Sequence, residues 1–472
     1  MYFESIDLLL YAEGDETKQQ RRSTVSKDNK GRAVEQEQGE RSKEMERKCF
    51  ELLQGLLAML DENLDRRLVE TFLGLVLVIV MHRNRAQGLL LSELGGYLKP
   101  AWQAPAGTKR ISNLLRSKRW DANMVETYLW VQAQGRVEGL RDAGQPVLVI
   151  WDESVIEKPE SLELEGLCAV RSSKAVRLKR IKPGYFNPPG GRPIFVPGYH
   201  WLQVLVAGMK GAPTVAAMAW WTSRGEEAND RRSVEAGLLR QAAESWGQAV
   251  LHVWDRGFAG APWLALAYVH ALRFVLRWPK HYYLADELGQ EKKAWLFTRG
   301  KRSWEHRLLW DARRRCYRKT GIVAVPVWDK NLAQPFWLVV ARPGAGREPW
   351  YLLTNEPVCT PADAWKIVLA YARRWQVEMS LRFDKCELAF ESPRLRRWET
   401  QRRLLLIATL AYAFLLSLLS CDDLLDWLLS HWCHRTGKWS LRVKTPLYRL
   451  RSALSRLWLT HPPPLIQRLT QG

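Results

Sequence analysis

The chain has 472 residues, 47% of them hydrophobic and 26% charged, with 71 Lys+Arg against 50 Asp+Glu and a formal net charge of +21. That is a globular composition, which excludes collagen-like, wholly disordered and disulfide-scaffold chains, and the length suits two or three domains with a real core. Seven Cys without short regular spacing point to a reducing compartment, and the first residues lack the basic start of a secretory signal.

Residues 1–48 read as a flexible charged arm, because positions 13–48 hold ten Lys/Arg and nine Asp/Glu with almost no large apolar side chain. The charge excess therefore belongs to the rest of the chain. It gathers at 171–192 (seven basic, no acidic), 301–319 (eight basic, two acidic) and 435–456 (seven basic, no acidic). Basic runs that recur and alternate with Trp and Tyr suggest a polyanion partner.

Residues 49–145 read as a helical region. The stretches 50–60 and 68–81 are rich in Leu and Val, and 109–120 (KRISNLLRSKRW) sets Ile111, Leu114 and Leu115 on one side of a basic amphipathic helix. Such a helix is compatible with a DNA-docking element.

The pattern changes at Pro146, where residues 146–278 read as the first part of an α/β core. The apolar run 147–151 (VLVIW) predicts a buried strand ending in Asp152-Glu153. Strands at 199–207 and 214–221 and a helix at 229–245 follow. A second apolar strand, 249–254 (AVLHVW), ends at Asp255-Arg256-Gly257, and then come a helix near 262–271 and a strand at 273–278. Residues 279–349 are aromatic, basic and alternating, the pattern of a small β-rich insertion. The core resumes over 350–420, with a strand at 350–354 (WYLLT) and one helix from Pro361, suited to a first turn, to about 389. The uncharged stretch 404–420 is short for a membrane span and has charged flanks, so it reads as a core helix. Residues 421–472 read as a helical, basic C-terminal region.

Two apolar strands that each end in an Asp place Asp152 and Asp255 where open α/β sheets tend to hold ligands. In a basic protein, such a pair suggests hard-metal ligands facing an anionic substrate. On the helix after 361, Tyr371, Arg374, Glu378 and Lys385 fall at i, i+3, i+7 and i+14. On a continuous helix that spacing puts them at about 0°, 300°, 340° and 320°, one narrow stripe. Such a stripe is not a core face, and Glu378 is too far from Lys385 for an i,i+4 pair. No P-loop or G-x-G-x-x-G occurs, so a nucleotide cofactor has no support.

Asp152, Asp255 and Glu378, with Tyr371-x2-Arg374-x3-Glu378-x6-Lys385 and the contexts WDES and WDRGFAG, closely resemble the bacterial DDE transposases of the insertion-sequence-four type, the group with the Y-R-E-K signature. The resemblance spans about residues 105–420, and its specific part is the Tyr-Arg-Glu-Lys helix. It implies a ribonuclease H-like mixed-sheet α/β core interrupted by the β-rich insertion, with helical regions at both ends. It implies further that Asp152, Asp255 and Glu378 are the catalytic residues and bind two Mg2+ ions, with Mn2+ able to substitute. Arg374 and Lys385 would then hold DNA phosphates, Tyr371 would hydrogen-bond a phosphate, and Arg256 would touch one. Trp350 stands 21 residues before Tyr371, where this family uses a Trp to take up a flipped base at a hairpin end. The resemblance also implies DNA partners (terminal inverted repeats and target), a homodimer in a synaptic complex and residence in the prokaryotic cytoplasm, with no membrane. A ribonuclease H-like nuclease or resolvase without strand transfer would share the metal site, and a non-enzymatic DNA-binding regulator would need no carboxylates.

Overall fold

The computed structural model describes residues 27–161, 163–172, 194–311, 316–332, 334–344, 346–433 and 447–471. Most of the basic runs 171–192 and 435–456 lies outside them. The protein is mixed α/β and divides into two compact units. One comprises the N-terminal residues to Tyr128, 163–165 and Arg382 onward; the other comprises 129–162 and 166–381.

The first unit is helical: α1 (Lys27–Asp61), α2 (Arg66–Met81), α3 (Leu91–Leu98), α4 (Ala104–Arg116), the start of α5 (Ala122–Asp142), α10 (Trp398–Leu418), α11 (Asp422–Trp432), α12 (Leu447–Thr460) and α13 (Pro464–Gln471). Its centre is α2, buried without interruption from Thr71 to Met81, as expected of a helix that is apolar all round. Helix α10 is long and apolar enough to cross a membrane by composition, but 83% of that window is buried inside the protein. It packs on α2, α4 and α12 as a core helix. On α4, Ile111, Leu114 and Leu115 are buried as the sequence predicts.

The charged arm expected over 1–48 is corrected for 27–48, which form the first part of α1, while 1–26 lie outside the described residues. Two local features account for the helix. Arg41–Glu44, Lys43–Glu40 and Lys48–Glu51 pair at i,i+3 and Arg47–Glu51 at i,i+4. Met45, Cys49, Leu53, Leu56 and Leu60, three or four residues apart, form a buried stripe.

The second unit is built on a sheet with strands β1 (Val147–Glu157), β2 (Cys168–Arg171), β3 (Phe195–Ala207), β4 (Thr214–Trp221), β5 (Val250–Trp254), β6 (Arg273–Arg277), β7 (Tyr283–Ala285), β8 (Glu291–Lys293), β9 (Glu305–Asp311), β10 (Cys316–Trp328), β11 (Pro335–Arg342) and β12 (Trp350–Thr354). The order is β2-β3-β1-β5-β6-β12-β11-β10-β7-β8, with β4 beside β3 and β9 beside β10. Strands β1 and β3 run antiparallel, while β1, β5 and β6 are parallel neighbours. Such central strands are covered on both faces and read as continuous apolar runs, as in VLVIW and VLHVW. Helices α6 (Arg231–Trp246) and α7 (Ala261–Val269) link β4, β5 and β6, and α8 (Pro361–Ala372) packs on β5, β6, β10, β11 and β12.

Two expectations change. Strand β1 does not end at Asp152 but continues to Glu157, because antiparallel pairing with β3 carries it past the end of β5. The 279–349 segment is β-rich, as its alternation predicts, and its strands β10 and β11 extend the same sheet through β12. The helix expected from 361 to 389 is two helices, α8 and α9 (Trp375–Cys386). At the break the backbone tightens to i→i−3 bonds, from Arg374 to Tyr371, Gln376 to Arg373 and Val377 to Arg374. The cause is tertiary. Arg373 is buried and donates from Nε to the Gly208 carbonyl at 3.0 Å and from Nη2 to the Gly211 carbonyl at 2.8 Å.

The aromatic excess goes chiefly into this core. Trp151, Trp201, Trp254 and Trp365 are among its largest fully buried side chains. Trp254 stacks on Phe274 at 5.4 Å between centroids, and Trp130 stacks on Trp246 at 4.3 Å. The Trp151 indole N–H donates to Nδ1 of buried His252 at 3.0 Å, tying β1 to β5.

Candidate active site

The parallel register places the first two carboxylates. The β1/β5 ladder ends at Ile150↔Val253, so Asp152 and Asp255 each stand two residues beyond it, side by side at the carboxyl edge of the sheet. Asp152 stays within β1, buried, and its Oδ1 accepts from the Glu153 N–H at 3.1 Å. Asp255 leaves β5 and caps a short 3₁₀ turn at 256–258, with Oδ1 accepting from the Gly257 N–H at 2.6 Å. A Cβ on Gly257 would lie 2.9 Å from that Oδ1 and would push the Asp255 carboxylate aside.

The helix break brings the third carboxylate in through an arginine. Arg374, in the turn between α8 and α9, donates from Nη1 to Asp152 Oδ2 at 3.3 Å and from Nη2 to Glu378 Oε1. The stripe worked out for a continuous helix is thus replaced by a bend. Tyr371 ends α8, Arg374 turns inward and Glu378 lies in the first turn of α9. Lys385 lies seven residues further along α9 and belongs to the helical unit.

Burial pushes the Asp152 carboxyl up to about 7; Asp255 and Glu378 add to this and Arg374 opposes it. Burial also works against the charge of Arg374, but Tyr371, Asp152 and Glu378 more than offset it and hold the guanidinium firmly protonated. Asp152 therefore senses Asp255 and Glu378 as neighbouring negative charges and Arg374 as a positive one. Hard oxygen donors of this kind fit a hard divalent cation. Among the described residues no three His, Cys, Asp or Glu side chains close into a metal cage. The guanidinium of Arg374 lies between Asp152 and Glu378, and a cation held by both requires it to release one of them.

Beside the carboxylates is an aromatic and cationic wall. The ring of Trp350, at the start of β12, meets that of Tyr371 edge-on at 5.3 Å. Arg277 at the end of β6 lies over both, at 5.8 Å and 6.0 Å, and Arg374 lies over Tyr371 at 5.6 Å. Arg277 also donates to the Pro349 carbonyl at 2.9 Å. Burial lowers its pKa to about 10, with Arg256 and Arg374 contributing as like charges. Arg256 itself is exposed in the turn after Asp255.

Sequence reasoning missed Arg277, as well as a second acidic cluster. Glu153 and buried Glu235 flank Arg231, with Arg231 Nε 2.6 Å from Glu153 Oε1 and 3.2 Å from Glu235 Oε1. Burial and the neighbouring Glu153 raise the pKa of Glu235 well above the usual carboxylate range and favour its neutral form. The only signal for Arg277 is positional: in the β5/β6 register Trp254 faces Leu276, so Arg277 stands level with Asp255.

No protein-family model matches the chain, and no curated protein matches it. Among solved structures it is similar to one described as the cryo-EM structure of a piggyBac transposase synaptic complex with hairpin DNA, at TM-score 0.40 and 12% identity, covering 86% of this chain and 73% of that one.

Proposed function

We propose that the chain is a DDE transposase of the insertion-sequence-four type, which cleaves and joins DNA strands at the ends of its own mobile element. The observation that carries this reading is the bridging of Asp152 and Glu378 by one arginine of the Y-R-E-K signature, with Asp255 adjacent. Residues from three separate elements, far apart in sequence, lie close to one another, which supports the reading. Antiparallel β4, β3 and β1 followed by parallel β5 and β6 support a ribonuclease H-like core.

In this reading Asp152, Asp255 and Glu378 hold Mg2+, with Mn2+ able to substitute. The bound metal supplies stabilisation of charge on the phosphate oxygens and activation of the attacking water or 3′-hydroxyl. The chain's own residues set up the rest. Arg374 presents a protonated planar fork to a phosphate oxygen, and Tyr371 offers a phenolic donor beside it. Arg256, Arg277 and Lys385 add cationic charge along the strand, and the Trp350 indole offers a stacking face for a displaced base. The partners are the terminal inverted repeats and target DNA, gripped by a homodimer in the prokaryotic cytoplasm.

The test is an assay on the DNA ends of the element that encodes the chain, with Mg2+ present. Nicked ends followed by joining of a pre-cleaved 3′-hydroxyl to a second DNA support the reading. Cleavage without joining points instead to a nuclease or resolvase, and end binding without cleavage to a DNA-binding regulator.

A further inference from the structure

Arg231 opens α6 and takes no part in the Y-R-E-K constellation, yet its side chain meets both strand ends that carry the aspartates. Its Nε lies 2.6 Å from Glu153 Oε1, and Glu153 directly follows Asp152 on β1. Its Nη2 donates to the Gly257 carbonyl at 3.0 Å, and the N–H of that same Gly257 is bound by Asp255. The guanidinium lies over the rings of Phe258 and Trp263 at 5.5 Å and 5.8 Å, which fixes its plane. A second carboxyl, on Glu235 one turn along α6 and fully buried, holds Nε from below at 3.2 Å.

A circuit of contacts follows. It runs from Asp152 Oδ1 to the Glu153 N–H, from the Glu153 carboxylate to Arg231, from Arg231 to the Gly257 carbonyl, and from the Gly257 N–H back to Asp255 Oδ1. Each aspartate spends Oδ1 on the circuit, and Asp152 Oδ2 meets Arg374 instead. The space is tight: a Cβ on Gly257 would come within 3.3 Å of Arg231 Nη2 as well as 2.9 Å of Asp255 Oδ1. A lysine could satisfy Glu153 as a point charge but lacks the fork that reaches Gly257 at the same time.

We infer that Arg231 is a positioning residue that sets the separation and facing of Asp152 and Asp255, and so governs how tightly the pair binds a divalent cation. The inference rests on the reading of these two aspartates as metal ligands. Groups that orient ligands from behind typically change metal affinity by about 10- to 100-fold when removed.

The experiment measures Mn2+ binding to the purified, folded full-length protein by the electron paramagnetic resonance signal of free Mn2+, with urea midpoints and DNA-end affinity recorded in parallel. Arg231→Lys is expected to weaken Mn2+ binding by about tenfold or more while DNA-end affinity stays within about twofold. Glu153→Gln, which keeps the side-chain volume and cuts one arm of the circuit, is expected to weaken it by a smaller factor and covers the case in which Arg231→Lys fails to fold. A lower urea midpoint with unchanged Mn2+ affinity in both variants overturns the inference, since that is what a purely structural ion pair would give. Asp152→Ala and Asp255→Ala separate the two levels. Mn2+ binding that needs both aspartates but neither Arg231 nor Glu153 overturns this inference alone. Binding indifferent to the aspartates, or no binding at all, overturns the metal reading and this inference with it.

Discussion

His252 offers a prediction whose size follows from its surroundings. It is fully buried on β5, three residues before Asp255, and accepts the indole N–H of Trp151, the residue before Asp152. Burial lowers its pKa from 6.5 to about 3, so the folded protein keeps it neutral while the unfolded chain protonates it below about 6.5. The stability that depends on a neutral His252 is therefore complete above pH 6.5 and is lost as the pH falls from there towards 3. With about 1.4 kcal/mol per pH unit, the total reaches about 5 kcal/mol, of which about 2 kcal/mol disappears between pH 7 and pH 5. Urea unfolding followed by tryptophan fluorescence at those two pH values measures it. His252→Gln, which keeps an acceptor available to Trp151 but does not titrate, is expected to lose about 2 kcal/mol less than the unaltered protein over that interval. Equal losses in the two proteins would refute the assignment of a buried neutral imidazole at this position.

Further expectations concern the site. Trp350→Ala is expected to impair hairpin formation at the element's ends more than first-strand nicking, measured on denaturing gels; equal effects would remove its role as a stacking face. Arg374→Lys keeps a charge but loses the planar fork offered to a phosphate oxygen, and is expected to lower the cleavage rate by about two orders of magnitude or more, as removal of one preorganised donor does; a rate within threefold of the original would contradict that role. Burial and Glu153 favour the neutral form of Glu235, so Glu235→Gln, a neutral amide of equal size, is expected to leave stability and cleavage near those of the unaltered protein; a large loss of either would mean that Glu235 is ionised. With a net charge of +21, end binding is expected to weaken steeply with salt in a titration from low to physiological ionic strength, and a flat profile would argue against backbone phosphates as the main contact.

The parts legible in the sequence were those with a local signature. The apolar runs VLVIW and VLHVW announced the central strands, Pro361 marked the start of α8, and residues 404–420 were correctly read as a core helix. The spacing of Tyr371, Arg374 and Glu378 also picked out side chains that contact one another, although by an imperfect route. It assumed one helix, whereas Arg373 breaks it by reaching the Gly208 and Gly211 carbonyls, a contact across more than 160 residues that has no local trace. The extension of β1 past Asp152 comes likewise from its partner β3. Arg231 and Arg277 lay beyond reach for the same reason: each matters through the strand ends beside it, and only the register brings them together. The charged segment 27–48 misled because i,i+3 and i,i+4 ion pairs look like solvated disorder until Met45, Cys49 and Leu53 are seen as one face.

The central claim is that Asp152, Asp255 and Glu378 together carry the chemistry, and Mg2+-dependent cleavage of the element's ends by the three single alanine variants tests it most directly. The account predicts that Asp152→Ala, Asp255→Ala and Glu378→Ala each bind the ends yet leave both strands intact. Cleavage retained by any one of them at the level of the unaltered protein would contradict it.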